Sequence, residues 1–358
     1  MVALQYSAVI VAALATTLAI TPLVRLVGVR WGIVAHPGGR HVHKGLVPRI
    51  GGVALFLGFT VAVLVDYLGE RFWGWQGAML RVGKPMLGLL AGIAVIFLVG
   101  VLDDIIELSP GKKLLGQLAA AGIVIACGVR ISFISNPFGG DVVSLSPVIA
   151  VPLTLFWIVG FTNVINLIDG LDGLAAGISG IAALSFLILA AQSNVLAAGV
   201  LAAALLGACI GFLRYNFNPA SIFMGDSGAL FLGFTLACVS LLGVMKSVAA
   251  ITLVVPLLII GVPIFDTFSA IIRRSRHGQP IQAADKGHIH HRLLGRGFNQ
   301  RQTVLIIYIW SVALAFGGYA MRWAPPIWRF ATLVLLASMS GLMAYWLGLF
   351  EAAHHEDE

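Results

Sequence analysis

The chain has 358 residues, of which 59% are hydrophobic and only 10% are charged, and its formal net charge is +7. Soluble domains carry about 25% charged residues, so this composition excludes a water-soluble globule. The basic residues flank apolar segments, as they do in membrane proteins, so the positive charge does not indicate a nucleic-acid partner. The composition predicts an integral membrane protein in contact with membrane lipids.

The apolar residues form successive runs, most of them close to the roughly 20 residues that a helix needs to cross a bilayer. Only helices satisfy their own backbone hydrogen bonds in lipid at this length. We therefore predict an all-α integral membrane protein with about 11 transmembrane helices in a single polytopic domain, residues 1–358, that ends in a flexible polar tail, 351–358. The eleven runs lie at 4–29, 51–69, 86–102, 114–129, 147–162, 174–191, 195–213, 228–245, 249–272, 303–321 and 327–349.

The lysines and arginines are distributed unevenly between the connections. Connections that follow odd-numbered runs hold 14 of them, and connections that follow even-numbered runs hold 7. Cytoplasmic connections carry the excess of basic residues. The sequence therefore predicts a multi-pass protein whose N-terminus lies outside and whose C-terminus is cytoplasmic.

The first polar groups follow the first and third runs. Lys44 and Arg49 lie in the first connection, and Asp103 and Asp104 come directly after the third run. Two adjacent carboxylates repel each other unless a cation lies nearby. The pair is read as a base for a phosphate-bearing acceptor, as a metal site or as a solvated helix end.

A second polar group follows the fifth run, where Asn163, Asn166, Asp169 and Asp172 recur every three positions. On a helix this spacing places them on one slowly drifting stripe. Burying so many polar groups without a function is costly. The stripe therefore predicts a cavity that binds a ligand.

A third group follows the seventh run and includes Asn216, Phe223 and Asp226. Mg²⁺ usually takes only one or two protein carboxylates and completes its shell with water and phosphate oxygens. Asp226, between two glycines, fits that role. Phe223 is read either as a stacking partner for a nucleobase or as an interfacial anchor.

The last group lies in the long connection after the ninth run and consists of His288, His290, His291 and Arg292. No cysteine or second histidine pair completes a zinc site. Arginine and histidine together suit a diphosphate, although a basic loop that touches anionic lipid headgroups has the same composition.

All of these groups follow odd-numbered runs, which predicts that they lie together on the cytoplasmic face. Transporters instead place ionisable residues near the bilayer midplane. Such a transporter, or a non-catalytic lipid carrier or scaffold, is therefore the less favoured interpretation.

Together these motifs resemble the polyprenyl-phosphate N-acetylhexosamine-1-phosphate transferases. The resemblance extends from His36 to about Thr303. The motifs that carry it are His43-Lys44 through Pro48-Arg49-Ile50-Gly51-Gly52, Asp103-Asp104, Asn163 to Gly173, Asn216 to Gly228, and Asp285 to Leu294.

The resemblance implies transfer of N-acetylglucosamine-1-phosphate from UDP-N-acetylglucosamine to undecaprenyl phosphate in the bacterial cytoplasmic (inner) membrane. It also implies Mg²⁺, with Mn²⁺ as a substitute, and a homodimer. Asp226 and Asp104 are expected to bind the metal. The expected catalytic residues are Asp103, Asp104, Asp226 and His290. The expected nucleotide-sugar-binding residues are Lys44, Asn163, Asn166, Asp169, Asp172, Asn216, Phe223, His288, His291 and Arg292.

The histidine motif separates the branches of this family. The peptidoglycan translocase has three consecutive histidines followed by an acidic residue, whereas this chain reads His288-Ile289-His290-His291-Arg292. That sequence resembles the enzymes that start teichoic-acid and O-antigen (lipopolysaccharide) chains. Transfer of phospho-N-acetylmuramoyl-pentapeptide stays the alternative. Asp266, inside the ninth run, is expected to line the sugar or lipid pocket.

Overall fold

The computed structural model describes residues 2–35, 47–77, 83–135, 142–246, 254–276, 278 and 287–350. This part of the chain is mainly helical, as predicted. Its helices are α1 Val2–Arg30, α2 Gly52–Phe72, α3 Lys84–Ile106, α4 Pro110–Ala126, α5 Pro147–Ile168, α6 Leu174–Gln192, α7 Leu196–Asn216, α8 Gly225–Lys246, α9 Val254–Ile259, α10 Gly261–Arg276, α11 Ile289–Gly295, α12 Gln300–Met321 and α13 Pro326–Leu347.

Two short antiparallel strand pairs interrupt the helices and were not predicted. The first joins β1 Val34–Ala35 to β2 Val47–Pro48, and the second joins β3 Phe133–Ser135 to β4 Val142–Ser144. Strands of two or three residues are too short for a periodic pattern in the sequence. They close loops at the ends of helices and leave the helical bundle unchanged.

In the described part of the chain, nine helices are long and apolar enough to cross a membrane, namely α1, α2, α3, α5, α6, α7, α8, α12 and α13. The protein is therefore a multi-pass membrane protein. The fourth predicted run forms α4, which has only 17 residues. The ninth run divides into α9 and the amphipathic α10. The count of eleven spans and the orientation of the termini stay predictions.

Small residues set the distance between the central helices. α7 consists largely of alanine and glycine and packs against α1, α2, α6 and α8. Gly211 lies so close to α1 that an added Cβ would meet the carbonyl oxygen of Leu14 at 2.9 Å. Small residues at helix interfaces allow such close backbone approach in membranes.

At one end of the bundle the starts of α2 and α8 are joined through backbone hydrogen bonds. The N–H of Gly51 donates to the carbonyl of Phe223 at 2.9 Å, and the N–H of Gly52 donates to Met224 at 2.8 Å. A Cβ at Gly100 on α3 would lie 2.5 Å from the Cα of Ser227. These close approaches bring the end of α3 and the start of α8 together.

Candidate active site

A cavity of about 880 Å³ opens at this end of the bundle. It contains residues from all five polar groups that the sequence singles out, so these groups meet as predicted. Lys44 lies outside the described residues, but Arg49 from the same group lines the cavity. The other predicted residues that line it are Asp104, Asn163, Asn166, Asp169, Asp172, Asn216, Phe223, Asp226, His288, His290 and His291.

Lys113 lies between two carboxylates in the cavity. Its Nζ is 2.6 Å from Oδ2 of Asp103 and 3.0 Å from Oδ2 of Asp226. Sequence reasoning missed this residue, because Lys112 and Lys113 looked like topology-determining charges only. The signal for it was its place on the first turn of α4, which directly follows the Asp103-Asp104 pair.

Asp104 holds the first turn of α8. One carboxylate oxygen accepts a hydrogen bond from the backbone N–H of Asp226 at 2.7 Å, and the other accepts from Ser227 at 3.1 Å. The first N–H groups of a helix have no partner within the helix, and a carboxylate satisfies them well. Each oxygen keeps a second lone pair, so metal binding by Asp104 stays a prediction beside this capping contact.

Asp103 has a different set of partners. Its Oδ1 accepts a hydrogen bond of 2.8 Å from the N–H of Leu108, and its Oδ2 faces Lys113. The first contact fixes the turn after α3. The second leaves the outer oxygen beside a cation in the cavity.

The two asparagines of the stripe orient other side chains. Asn166 donates its amide to Oδ1 of Asp226. Asn163 exchanges two hydrogen bonds with Gln117 on α4, of 2.7 and 3.2 Å. Asp226 is thereby held from both sides, by Asn166 on one oxygen and by Lys113 on the other.

Asp169 lies on the turn after α5 and lines the cavity. The pKa of its carboxyl is raised to about 7, mainly by burial and then by the negative charges of Asp226, Asp104 and Asp172, in that order. The pKa of this carboxyl is therefore raised first by loss of water and only second by the neighbouring carboxylates.

Asp172 and Asn216 hold the backbone around the cavity. Oδ2 of Asp172 accepts hydrogen bonds from the N–H of Ala220 and the amide of Asn218, both at 3.0 Å. Asn216 accepts from the N–H of Gly173 at 3.1 Å and donates to the carbonyl of Ile222 at 3.0 Å. These contacts fix the connection that carries Phe223 into the cavity.

The histidine segment is held by Asp266 on α10. Nδ1 of His288 lies 2.9 Å from Oδ2 of Asp266, and the N–H of Ile289 donates to Oδ1 at 2.7 Å. Asp266 is buried and is not among the residues that line the cavity. The expectation that it lines the pocket is therefore wrong, because its carboxylate is directed at the histidine segment.

His290 reaches the stripe. Its ring lies so close to Gly170 that an added Cβ there would be 2.7 Å from Cε1, which explains the glycine. The ring of His291 lies 4.2 Å from the ring of His290 between centroids, tilted by 41°, and also lines the cavity. Arg292 follows on α11 but is not among the residues that line the cavity.

Two further arginines contribute positive charge. Arg49 lines the cavity and pairs with Glu107 at 2.7 Å, where both side chains are partly exposed. Arg274 lines the cavity from α10. With Lys113, these arginines place positive charge at several points of a cavity that also contains a cluster of aspartates.

The carboxylates fit a Mg²⁺ ion that completes its shell with phosphate and water. The described residues contain no group of three or more His, Cys, Asp or Glu side chains arranged around a metal. Mg²⁺ does not require one, since it typically binds through one or two carboxylates. Oxygens of Asp226 and Asp103 already converge on the Lys113 ammonium, so this pair is a suitable place for a cation.

Comparison with known proteins supports the motif resemblance. The family described as Glycosyl transferase family 4 matches residues 86–244, which include the aspartates Asp103 and Asp226. A "Probable undecaprenyl-phosphate N-acetylglucosaminyl 1-phosphate transferase" of Bacillus subtilis (strain 168) is 41% identical over 89% of this chain and 85% of its own length. The chain belongs to glycosyl transferase family 4.

Other members of the family show more distant similarity over most of their length. The "Decaprenyl-phosphate N-acetylglucosaminephosphotransferase" of Mycolicibacterium smegmatis is 36% identical over 83% of this chain and 77% of its own. The "Undecaprenyl-phosphate alpha-N-acetylglucosaminyl 1-phosphate transferase" of Escherichia coli (strain K12) is 27% identical over 87% and 83%. The family match over residues 86–244 includes the cavity residues from Asp104 to Asp226, whereas Arg49, Arg274 and the histidine segment lie outside it.

Proposed function

We propose that this protein transfers N-acetylglucosamine-1-phosphate from UDP-N-acetylglucosamine to undecaprenyl phosphate and releases UMP. The names of the relatives from Bacillus subtilis and Escherichia coli support this donor group and acceptor. The observation that carries the proposal is the arrangement around Asp226. This carboxylate is oriented by Asn166 and Lys113 in a cavity at the end of a transmembrane bundle.

In the proposed reaction an oxygen of the lipid phosphate attacks the β-phosphorus of the donor. The bond between that phosphorus and the bridging oxygen breaks, and UMP leaves with the electron pair. The barrier lies mainly in bringing two polyanions together, so positioning and charge neutralisation are the chief contributions of the protein. Mg²⁺, when bound at Asp226, supplies positive charge against the diphosphate.

The cations of the cavity hold the phosphate oxygens in this account. Lys113 lies beside the carboxylates, and Arg49 and Arg274 line other parts of the wall. Arginine binds phosphate through two parallel N–H groups, whereas lysine acts as a point charge. His290 and His291 add further donors near Gly170.

Asp103 is the proposed base for the lipid phosphate. Its Oδ2 lies 2.6 Å from Nζ of Lys113, which lines the cavity, whereas Asp103 itself is buried behind the residues that line it. The second pKa of a phosphate monoester is near 6, so at neutral pH little acceptor needs deprotonation. Asp103 therefore contributes modestly as a base and chiefly as a partner that fixes the Lys113 ammonium.

The nucleotide is proposed to bind along the wall made by the stripe and by Phe223. Phe223 supplies an aromatic face for the uracil, while Asp169 and Asn163 supply polar groups. We further propose that the cavity faces the cytoplasm of a bacterial cell, because Arg49, Lys113 and Arg274, which line it, come from the connections that hold the excess of basic residues. A homodimer stays a prediction.

The experiment that tests the proposal measures UMP release by purified protein supplied with a polyprenyl phosphate. UDP-N-acetylglucosamine and UDP-N-acetylmuramoyl-pentapeptide are compared as donors, each with and without acceptor. Release from the first donor alone, and only with acceptor, supports the proposal. Release from the pentapeptide donor alone would show that the protein transfers phospho-N-acetylmuramoyl-pentapeptide instead. No release from folded protein with either donor would favour a lipid carrier.

A further inference from the structure

The C-terminal end of α13 packs against the helices that hold the histidine segment. Leu347 and Leu349 are buried, and the ring of Phe350 meets Phe265 of α10 edge to face at 6.4 Å between centroids. The guanidinium of Arg296 lies 4.5 Å above the Trp346 ring. Residues 346–350 therefore pack against α10 and the end of α11.

Arg273 connects this C-terminal end to the residue that precedes His288. Its buried guanidinium donates a hydrogen bond to the backbone carbonyl of Leu349. The same guanidinium lies against Gly287 so closely that a Cβ there would collide with it. Arg273 is absent from the cavity wall, whereas its neighbour Arg274 lines it.

The contacts continue from Gly287 into the cavity. His288 follows Gly287 directly and is held by Asp266, which lies on α10 two turns before Arg273. His290 then reaches Gly170 on the opposite wall. The position of the histidines therefore depends on how firmly residues 287–291 are fixed to α10.

We propose that Arg273 is a positioning residue that ties the histidine segment, residues 287–291, to the C-terminal end of α13. A guanidinium can make several hydrogen bonds in one plane, so it suits a junction between two backbone segments. Loss of this junction removes one attachment of the histidine segment and leaves the contact of His288 with Asp266 in place. The consequence for catalysis rests on the proposed function, but the consequence for local stability does not.

The test measures amide hydrogen exchange of the peptide that covers residues 287–295 in purified full-length protein. Three single variants, Arg273→Leu, Arg273→Lys and Leu349→Ala, are compared with the wild type and with the double variant Arg273→Leu/Leu349→Ala. We expect exchange about tenfold faster in Arg273→Leu, as a lost hydrogen bond to a charged group implies. Leu349→Ala keeps the backbone carbonyl and loses only the buried side chain that fixes its position, so a smaller increase is expected. Arg273→Lys keeps the charge and should give a smaller increase, and it serves if the leucine variant does not fold.

The double variant shows whether the two residues act through one junction. If Leu349→Ala acts only by loosening the contact between Arg273 and the carbonyl of residue 349, the double variant should exchange no faster than Arg273→Leu. Arg276→Leu is the matched control, since Arg276 lies on the same helix and is exposed. It should leave the exchange of residues 287–295 unchanged.

Three outcomes would overturn the proposal. They are unchanged exchange of residues 287–295 in both Arg273 variants, an equal increase in Arg276→Leu, and an increase of the same size in peptides from α6 and α7. UMP release is measured on the same samples, where the Arg273 variants should lose about tenfold in kcat/KM for the donor. Inactive wild-type protein with the expected exchange pattern would count against the proposed function alone.

Discussion

Asp104 on α3 and Asp226 on α8 are joined through the backbone. The carboxylate of Asp104 accepts a hydrogen bond of 2.7 Å from the N–H of Asp226. The residue proposed to bind the metal is therefore placed by a second carboxylate that holds its helix in position. The structure thus gives Asp104 a helix-capping role, whereas the sequence motifs predict only metal binding and catalysis for both aspartates.

The capping role of Asp104 predicts a loss of stability. In Asp104→Ala the N–H groups of Asp226 and Ser227 lose their acceptor, which costs about 1–3 kcal/mol for a buried group. We expect a lower thermal unfolding midpoint in detergent, together with a loss of activity. In Asp226→Asn the capping contacts are retained, so the midpoint should stay near that of the wild type. An Asp104→Ala protein that is inactive but fully stable would contradict the capping role.

The position of Lys113 predicts opposite effects on metal binding and on turnover. Two unit charges 4 Å apart interact by about 4 kcal/mol at an effective dielectric constant of 20, so the ammonium opposes a nearby cation. We expect Lys113→Met to bind Mn²⁺ at least about tenfold more tightly in the absence of substrate, and to release UMP more slowly. Electron paramagnetic resonance of Mn²⁺ measures the first effect.

The neighbouring residue provides the control for this prediction. Lys112 is exposed and does not line the cavity. Lys112→Met should therefore leave both Mn²⁺ affinity and UMP release unchanged. Equal metal affinity in the Lys113→Met and wild-type proteins would show that the cation binds elsewhere.

The raised pKa of Asp169 predicts how stability varies with pH. Between the ordinary carboxyl pKa near 4 and the folded value of about 7, the folded protein binds a proton that the unfolded chain has lost. The contribution of Asp169 to stability therefore falls as pH rises through this range. Asp169→Asn should flatten that fall, as measured by thermal unfolding in EDTA at pH 5, 6, 7 and 8. A wild-type and variant profile of the same shape would contradict the assignment.

Arg49 and Glu107 should change substrate binding in opposite directions. Their 2.7 Å ion pair is partly exposed and contributes little to stability. If Arg49 binds a substrate phosphate, Glu107 competes for the same guanidinium. We expect Arg49→Gln to raise the KM of the substrate whose phosphate Arg49 binds by roughly tenfold. Glu107→Gln should lower the same KM, and neither variant should change the thermal unfolding midpoint. A rise in KM in both variants would show that the ion pair itself forms the binding surface.

The sequence predicted the bundle and the grouping of the polar motifs because both follow from local patterns. Long apolar runs must form helices in lipid, and polar residues cluster where those helices end. The break between α9 and α10 was missed because the run was read by its hydrophobicity, although Gly261 and Pro263 mark the break in the sequence.

The partners of individual side chains could not be predicted. Asp266 looked like a pocket residue, and only the folded chain shows that it binds the segment 22 residues further on. Lys113 and Asp226 are 113 residues apart in sequence and meet through the packing of α3, α4 and α8. Such pairings depend on the three-dimensional arrangement of helices, which periodicity does not specify.

The central claim is that Asp226 supports metal-dependent transfer to a lipid phosphate. The most direct test measures UMP release from UDP-N-acetylglucosamine and undecaprenyl phosphate, with Mg²⁺, with EDTA, and with Asp226→Asn in Mg²⁺. The account predicts release by the wild type in Mg²⁺ only, and a loss of at least about a hundredfold in Asp226→Asn. Undiminished release in EDTA, or by a folded Asp226→Asn protein, would contradict it.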